Sequence, residues 1–299
     1  MSTELTRRLR PLVLPAAMLA GIVFHDVIHY IGFLTPILLF VMLMVAFCRA
    51  DWRKMKLTGF HYALAAVQWG LAWVAYGVFW LIDDIAAQGV FLCVFICTAT
   101  AAPVITSMLG GSIERLLGYS LLSLLLFTLA APLFLPLVGG KTMEFGPAAL
   151  QIAWQVSPLL IGPIVAAELM RWLMPRAHRA IARHQTISFY LWAVGLLIVM
   201  GNAVAFLFNS DEHSTLRLAL LMGGSLAVCL AQFAIGRRIG RRWGDAVAGG
   251  QALGQKNTIL ALWIALTYLD PTASIAPGAY ILWQNGINSW QLWRHRAGS

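Results

Sequence analysis

Residues 249 to 266 read GGQALGQKNTILALWIAL. Most of the stretch is apolar enough for a lipid interior, yet a glycine, a glutamine, a lysine and an asparagine stand in a row at its centre. An ammonium at membrane depth costs between ~2.5 and ~17 kcal/mol, according to the scale used. Lys256 therefore needs a reason to be there, and the chemistry open to it is ionic: a fixed positive charge can hold an anion or carry a proton. The competing reading is a lysine at a helix end that snorkels its charge to the surface. Lys256 lies well inside its apolar segment, beyond Asp245 and the basic run Arg237–Arg242, which favours the buried site. A second polar island, CTATAAPVITSMLGGS at 97–112, contains Thr100, Pro103 and Thr106.

Other reactive types offer less. Cys48, Cys93, Cys97 and Cys229 all sit in apolar runs without metal-type CxxC spacing and read as reduced, packed thiols. His25, Asp26 and His29 have i, i+4 spacing that a metal would accept, but a solvated loop explains them as well. Glu168 precedes Arg171 by three residues and reads as its ion-pair partner. Phosphate loops, hydrolase triads and metal-ligand clusters have no counterpart in the sequence, so an enzyme is not expected.

The elements that must position Lys256 follow from composition. Hydrophobic residues make up 60% of the 299 and charged residues 11%, against roughly 25% charge in a globular domain. Mean hydropathy is +0.77. The charges are clustered, separated by apolar runs of about 20 residues, the length a bilayer-spanning helix needs. The chain reads as an all-α polytopic membrane protein, and its net charge of +9 as topology rather than a nucleic-acid surface.

Ten segments emerge, near 10–26, 31–48, 58–81, 86–109, 115–138, 146–173, 184–208, 214–236, 245–268 and 274–293. Their loops alternate in charge. Arg7, Arg8 and Arg10, the runs Arg49–Lys56, Arg171–Arg183 and Arg237–Arg242, Arg115, and Arg294 with Arg296 fall on one side. HDVIH (25–29), Asp83 and Asp84, GGKTMEFG (139–146), NSDEHS (209–214) and Asp270 fall on the other. The positive-inside rule then places both termini in the cytoplasm. Tryptophans such as Trp52, Trp80, Trp172, Trp243 and Trp293 lie near segment ends, as interfacial anchors do.

Ten spans divide into two sets of five, so the second set enters the membrane from the opposite face, as in an inverted repeat. Segments four and nine share one peculiarity. Pro103 breaks the fourth, with Thr100 placed to cap a new helix start. Gly249, Gly250 and Gly254 loosen the ninth just before Lys256. Non-helical backbone at membrane depth is tolerated only where protein or a watery cavity surrounds it. Matched breaks in two halves point to a transporter's midplane site; a kinked helix and a glycine packing face are the plainer reading.

GQKNTILA, followed by PGAYILWQNGINS at 277–289, resembles the last two helices of the bile acid:sodium symporter superfamily. That family carries Glu-x-Gly-x-Gln-Asn in its ninth helix and Pro-Gly with an asparagine in its tenth. Gly254, Asn257, Leu260, Ala261, Pro277, Gly278 and Asn285 fall on the pattern. LTPILLFVMLMVAFCRADW is similar to the family's second helix, Gln68 to its third-helix glutamine, and TLAAPLFLPLVGG to the end of its fifth. The resemblance implies two inverted repeats, 1–140 and 141–299. Segments 1, 2, 6 and 7 would form a panel, and segments 3–5 and 8–10 a core in which broken helices 4 and 9 cross. It implies alternating-access transport of organic anions across a bacterial cytoplasmic membrane.

The departures fall where sodium should bind. Anchored on Gly254 and Asn257, the signature glutamate becomes Ala252 and its glutamine Lys256. The fourth helix's Ser-Asn pair falls near Pro103 and Val104. A shifted alignment puts Gln251 and Gln255 on the Glu and Gln, but restores no carboxylate. The resemblance thus makes Lys256 a built-in cation in place of a sodium ion, near Gln68 and the carbonyls of the broken helices. The candidate site residues are Lys256, Asn257, Gln255, Gly254, Gln68, Thr100, Pro103, Thr106 and Asn285. The expected partners are a small organic anion, protons and the lipid bilayer, with no cofactor and no nucleic acid, for a chain acting as a monomer. Two alternatives are a non-transporting sensor or scaffold of the same fold, and an arsenite-type efflux protein, which Cys97 suggests.

Overall fold

The computed structural model describes residues 16–49 apart from Met18, 56–99, 102–139, 145–183, part of 190–205, and 214–297. Arg7, Arg8, Arg10, Trp52, Thr100, most of the Arg49–Lys56 run, the centre of the 139–146 loop and residues 209–213 lie outside the described residues. The helices are α1 (Thr35–Arg49), α2 (Gly59–Trp80), α3 (Asp84–Phe95), α4 (Ala102–Met108), α5 (Ile113–Gly139), α6 (Phe145–Leu173), α7 (Pro175–Arg183), α8 (Thr215–Arg242), α9 (Ala246–Gly254), α10 (Thr258–Tyr268) and α11 (Ile275–Ala297). Among the described residues there is no strand, only an isolated bridge between Thr98 and Lys256. Among the described residues four helices, α2, α5, residues 149–173 of α6, and α8, are long and apolar enough to cross a membrane, which makes this a helical protein suited to a bilayer.

Two basic runs assigned to loops are helical. Arg237–Arg242 forms the last turns of α8, and most of Arg171–Arg183 lies in the end of α6 and in α7. Arginine is a good helix former, and charge clusters mark a membrane boundary without ending a helix. What ends α8 is Gly244, at φ +75°. A residue with a Cβ resists that left-handed conformation, and it lets Asp245 N–H donate to Gly240 O at 2.9 Å. Gly110, at φ +77°, ends α4 in the same way.

Two compact units are present, residues 1–49 with 163–211 and residues 50–162 with 212–299. In the first, α1 packs against α7, and Glu168 pairs with Arg171 at 3.1 Å. In the second, α2 and α3 form an antiparallel hairpin turned by Asp83. Its Oδ1 accepts from Ala86 N–H at 2.7 Å, and its Oδ2 from Arg217 Nε at 2.9 Å. Stacked and edge-on rings of Trp69, Trp73, Phe91, Phe95, Phe127 and Phe134 fill the space between α2, α3 and α5. All four cysteines are free and buried.

Helices α8 and α9 meet through glycines. A Cβ added at Gly236 would lie 2.2 Å from Gly249 O, and one at Gly249 2.2 Å from Gly236 O. Small residues let two backbones approach in this way. Asp245 fixes the start of α9: its Oδ1 accepts from Ala248 N–H and its Oδ2 from Ser112 N–H, both at 2.8 Å. Asp245→Ala should therefore destabilise the protein by about 1–3 kcal/mol, through loss of the cap and an unmet Ser112 N–H. Thermal unfolding in detergent tests this, with Asp245→Asn expected to recover part of the loss.

Candidate functional site

The apolar run that begins at α3 is interrupted after Phe95, and the run that begins at α9 after Gly254. Pro103, at the second position of α4, cannot donate a hydrogen bond and clashes with the turn before it, so α3 cannot run on into α4. At the other break, Asn257 caps α10, its Oδ1 accepting from Leu260 N–H at 3.3 Å. The ring of Phe233 lies so close to Gly254 that a Cβ there would sit 2.4 Å from it.

The two interruptions satisfy each other. Ala99 N–H donates to Gln255 O at 2.9 Å, and Asn257 N–H to Cys97 O at 3.0 Å. Thr98 Oγ1 donates to Ala252 O at 2.9 Å, and Ser123 from α5 lies 3.3 Å from the same hydroxyl. Tyr280 from α11 donates to Gly254 O at 2.8 Å and accepts from Gln232 Nε2 at 2.9 Å. The non-helical backbone at both breaks is thus supplied with partners inside the protein, as burial demands.

Ending α3 early leaves its last carbonyls without partners in the helix, at the negative end of its dipole. Lys256 and Gln68 meet them. Lys256, 1% exposed, donates from Nζ to Val94 O at 2.9 Å and to Ile96 O at 3.2 Å. Gln68 Nε2 donates to Phe95 O and Ile96 O, both at 3.0 Å, and its Oε1 accepts from Tyr119 Oη. Ile96 O is shared by both side chains. The backbone N–H of Lys256 donates to Gln284 Oε1 at 2.9 Å. An ammonium has three donors; two are used, and the third has no hydrogen-bond partner among the described residues. The titratable groups acting on it are the thiols of Cys97, Cys93 and Cys229, with no carboxylate among them.

Protein-family models give no match to this chain, and neither do the curated proteins. The functional reading rests on the residues themselves.

Of the expected site residues, Lys256, Asn257, Gln255, Gly254 and Gln68 come together at the two breaks. Gln255 is fully buried, and both polar atoms of its side chain lack hydrogen-bond partners among the described residues. Thr106 on α4 is fully buried with its hydroxyl unpartnered among the described residues, and neither it nor Pro103 contacts Lys256 through a hydrogen bond. Thr100 lies outside the described residues. Asn285 Nδ2 donates to Ile281 O of its own helix at 2.9 Å, and the neighbouring Gln284 accepts from Lys256 N–H. One residue of helix rotation, about 100°, decides between them. The sequence reading missed Gln284, Tyr119, Thr98, Ser123 and Tyr280. The buried side chains Gln284, Asn288 and Gln291, at i, i+4 and i+7, formed a signal that could have turned the face of α11 correctly.

Proposed function

We propose that the chain is a secondary transporter of small organic anions, of the bile acid:sodium symporter type. It would comprise ten spans in two inverted repeats, with both termini in the cytoplasm. It works by alternating access, without sodium, and a proton moves with the anion. The observation that carries this reading is the Lys256 ammonium on the Val94 and Ile96 carbonyls beside Gln68, with one donor spare. A helix C-terminus favours a cation, and here the cation is tethered. It cannot leave, but its proton can. An incoming carboxylate beside the ammonium holds the proton in place, and release of the anion lets it go. Acid on the substrate side then favours uptake.

Binding to the purified protein, measured for a panel of small mono- and dicarboxylates with and without sodium, tests the reading. Saturable binding that is indifferent to sodium is expected. No carboxylate stands at Ala252 and an ammonium occupies the position of the signature glutamine. Sodium exchanged for N-methylglucamine at constant ionic strength should therefore leave the melting temperature unchanged. A sodium-dependent rise would mean that other residues build a sodium site.

A further inference from the structure

A seam of buried carboxamides runs away from Lys256 along α11. Gln284, Asn288 and Gln291 occupy i, i+4 and i+7 and share one face of the helix. Their exposure rises in order, 1%, 3% and 7%, toward the end of α11 where Arg294 and His295 are exposed. Gln284 accepts from Lys256 N–H. Gln251 on α9 closes the seam from the other side, its Nε2 donating to Asn288 Oδ1 at 2.9 Å and to Gln291 Oε1 at 3.3 Å. Gln255 follows one turn later, next to Lys256.

Four polar atoms on these residues have no hydrogen-bond partner among the described residues: Gln251 Oε1, Asn288 Nδ2, and both Gln255 Oε1 and Nε2. Buried polar groups are almost always paired, and flipping the amides exchanges which atoms are orphaned without removing them. A buried water makes about three hydrogen bonds and occupies sites that offer several such partners. Apolar packing would have needed none of these amides.

We propose that this seam holds ordered water and forms the route by which the Lys256 proton reaches the aqueous face at the C-terminal end of α11. Carboxamides do not titrate, so they orient water without trapping the proton. The groups facing Lys256 that do titrate are the thiols of Cys93 and Cys97 at the end of α3 and of Cys229 on α8. Tyr119 on α5 and Tyr280 on α11 are tied to Gln68 and to Gly254. None of these lies between Gln284 and Gln291, and among the described residues the seam carries a file of unmet polar atoms from Lys256 outward. The inference rests on the proposal that Lys256 exchanges a proton during the cycle.

The chain has four lysines, Lys54, Lys56, Lys141 and Lys256. A 15Nζ-lysine solid-state NMR spectrum in phosphatidylethanolamine and phosphatidylglycerol vesicles is therefore simple, and Lys256→Met assigns the buried signal. Polarisation transfer from water to Lys256 Nζ should be fast in the native protein. It should slow about tenfold in Asn288→Leu/Gln291→Leu, because a gap lined by apolar groups stays dry. Gln291→Met, at the least buried position, gives a milder block should the double variant not fold. Absence of water transfer to Lys256 in the native protein would overturn the proposal. So would transfer that neither block changes, since water would then arrive by another route. Fast, blockable transfer supports the route; if carboxylate uptake is then independent of pH, the route stands and the proton-coupled transport reading falls.

Discussion

Lys256→Met should weaken binding of a small carboxylate by about 10- to 100-fold, the range set by losing one charge-assisted hydrogen bond of roughly 1.5–3 kcal/mol. Methionine keeps the length of the stem and fills the same space without the ammonium. Ile96 O keeps a donor in Gln68, while Val94 O loses the Lys256 donor. The fold should survive, which a melting curve checks. Uptake by the variant in proteoliposomes should lose its pH dependence, since among the described residues no other cationic side chain contacts these carbonyls. Lys256→Gln separates charge from shape: it restores the residue of the resembled family, but Ala252 still supplies no carboxylate, so sodium should not stimulate it. If Lys256→Met binds and carries substrate with the native pH profile, the lysine is a structural plug and proton coupling is wrong.

Gly249→Val should abolish the folded protein or lower its stability by about 3 kcal/mol, the upper end of the usual overpacking cost. The clash is with backbone: a Cβ at Gly249 meets Gly236 O at 2.2 Å and the Cα of Gly240 at 2.9 Å. A flexible side chain could rotate away, but a helix must shift as a whole, and α8 is what holds α9 in place. Gly223 on the same helix α8 is the control, because nothing lies within 4 Å of a Cβ there. Gly223→Ala should be neutral or stabilise by up to about 1 kcal/mol through helix propensity. Thermal unfolding in detergent, monitored by size-exclusion chromatography, reads both. Equal melting temperatures for the two variants would remove the glycine seam from the account.

What was legible in the sequence was the set of anomalies. Lys256 and Gln68 declare themselves because a polar side chain inside an apolar run is costly, and Pro103 because it cannot continue a helix. Helix positions followed from apolar run length, with errors where charge was taken to end a helix, as at Arg237–Arg242. Partners were not legible. Nothing local to Gln284, Tyr119 or Thr98 says that segments 28, 51 and 154 residues distant will need a hydrogen bond. The resembled motif points to Asn285 by residue type, whereas the rotation of α11 that brings Gln284 to Lys256 is fixed by packing. The glycine seam was visible as spacing at Gly236, Gly240, Gly249 and Gly250, but its meaning depends on which helices meet.

The bridging of two distant breaks also has a consequence for biogenesis. Val94 O finds its ammonium partner 162 residues later in the chain. At about 5–20 residues per second, synthesis reaches Lys256 on the order of 10 to 30 seconds after Val94. During that interval the end of α3 has Gln68 already made and the Lys256 donor not yet translated. A nascent chain stopped before residue 249 would leave Ala99 N–H and the carbonyls of Cys97 and Val94 bare. Pairing of the two breaks is therefore a late step of assembly, and the ribosome must deliver α9 and α10 before the first half of the protein is chemically complete.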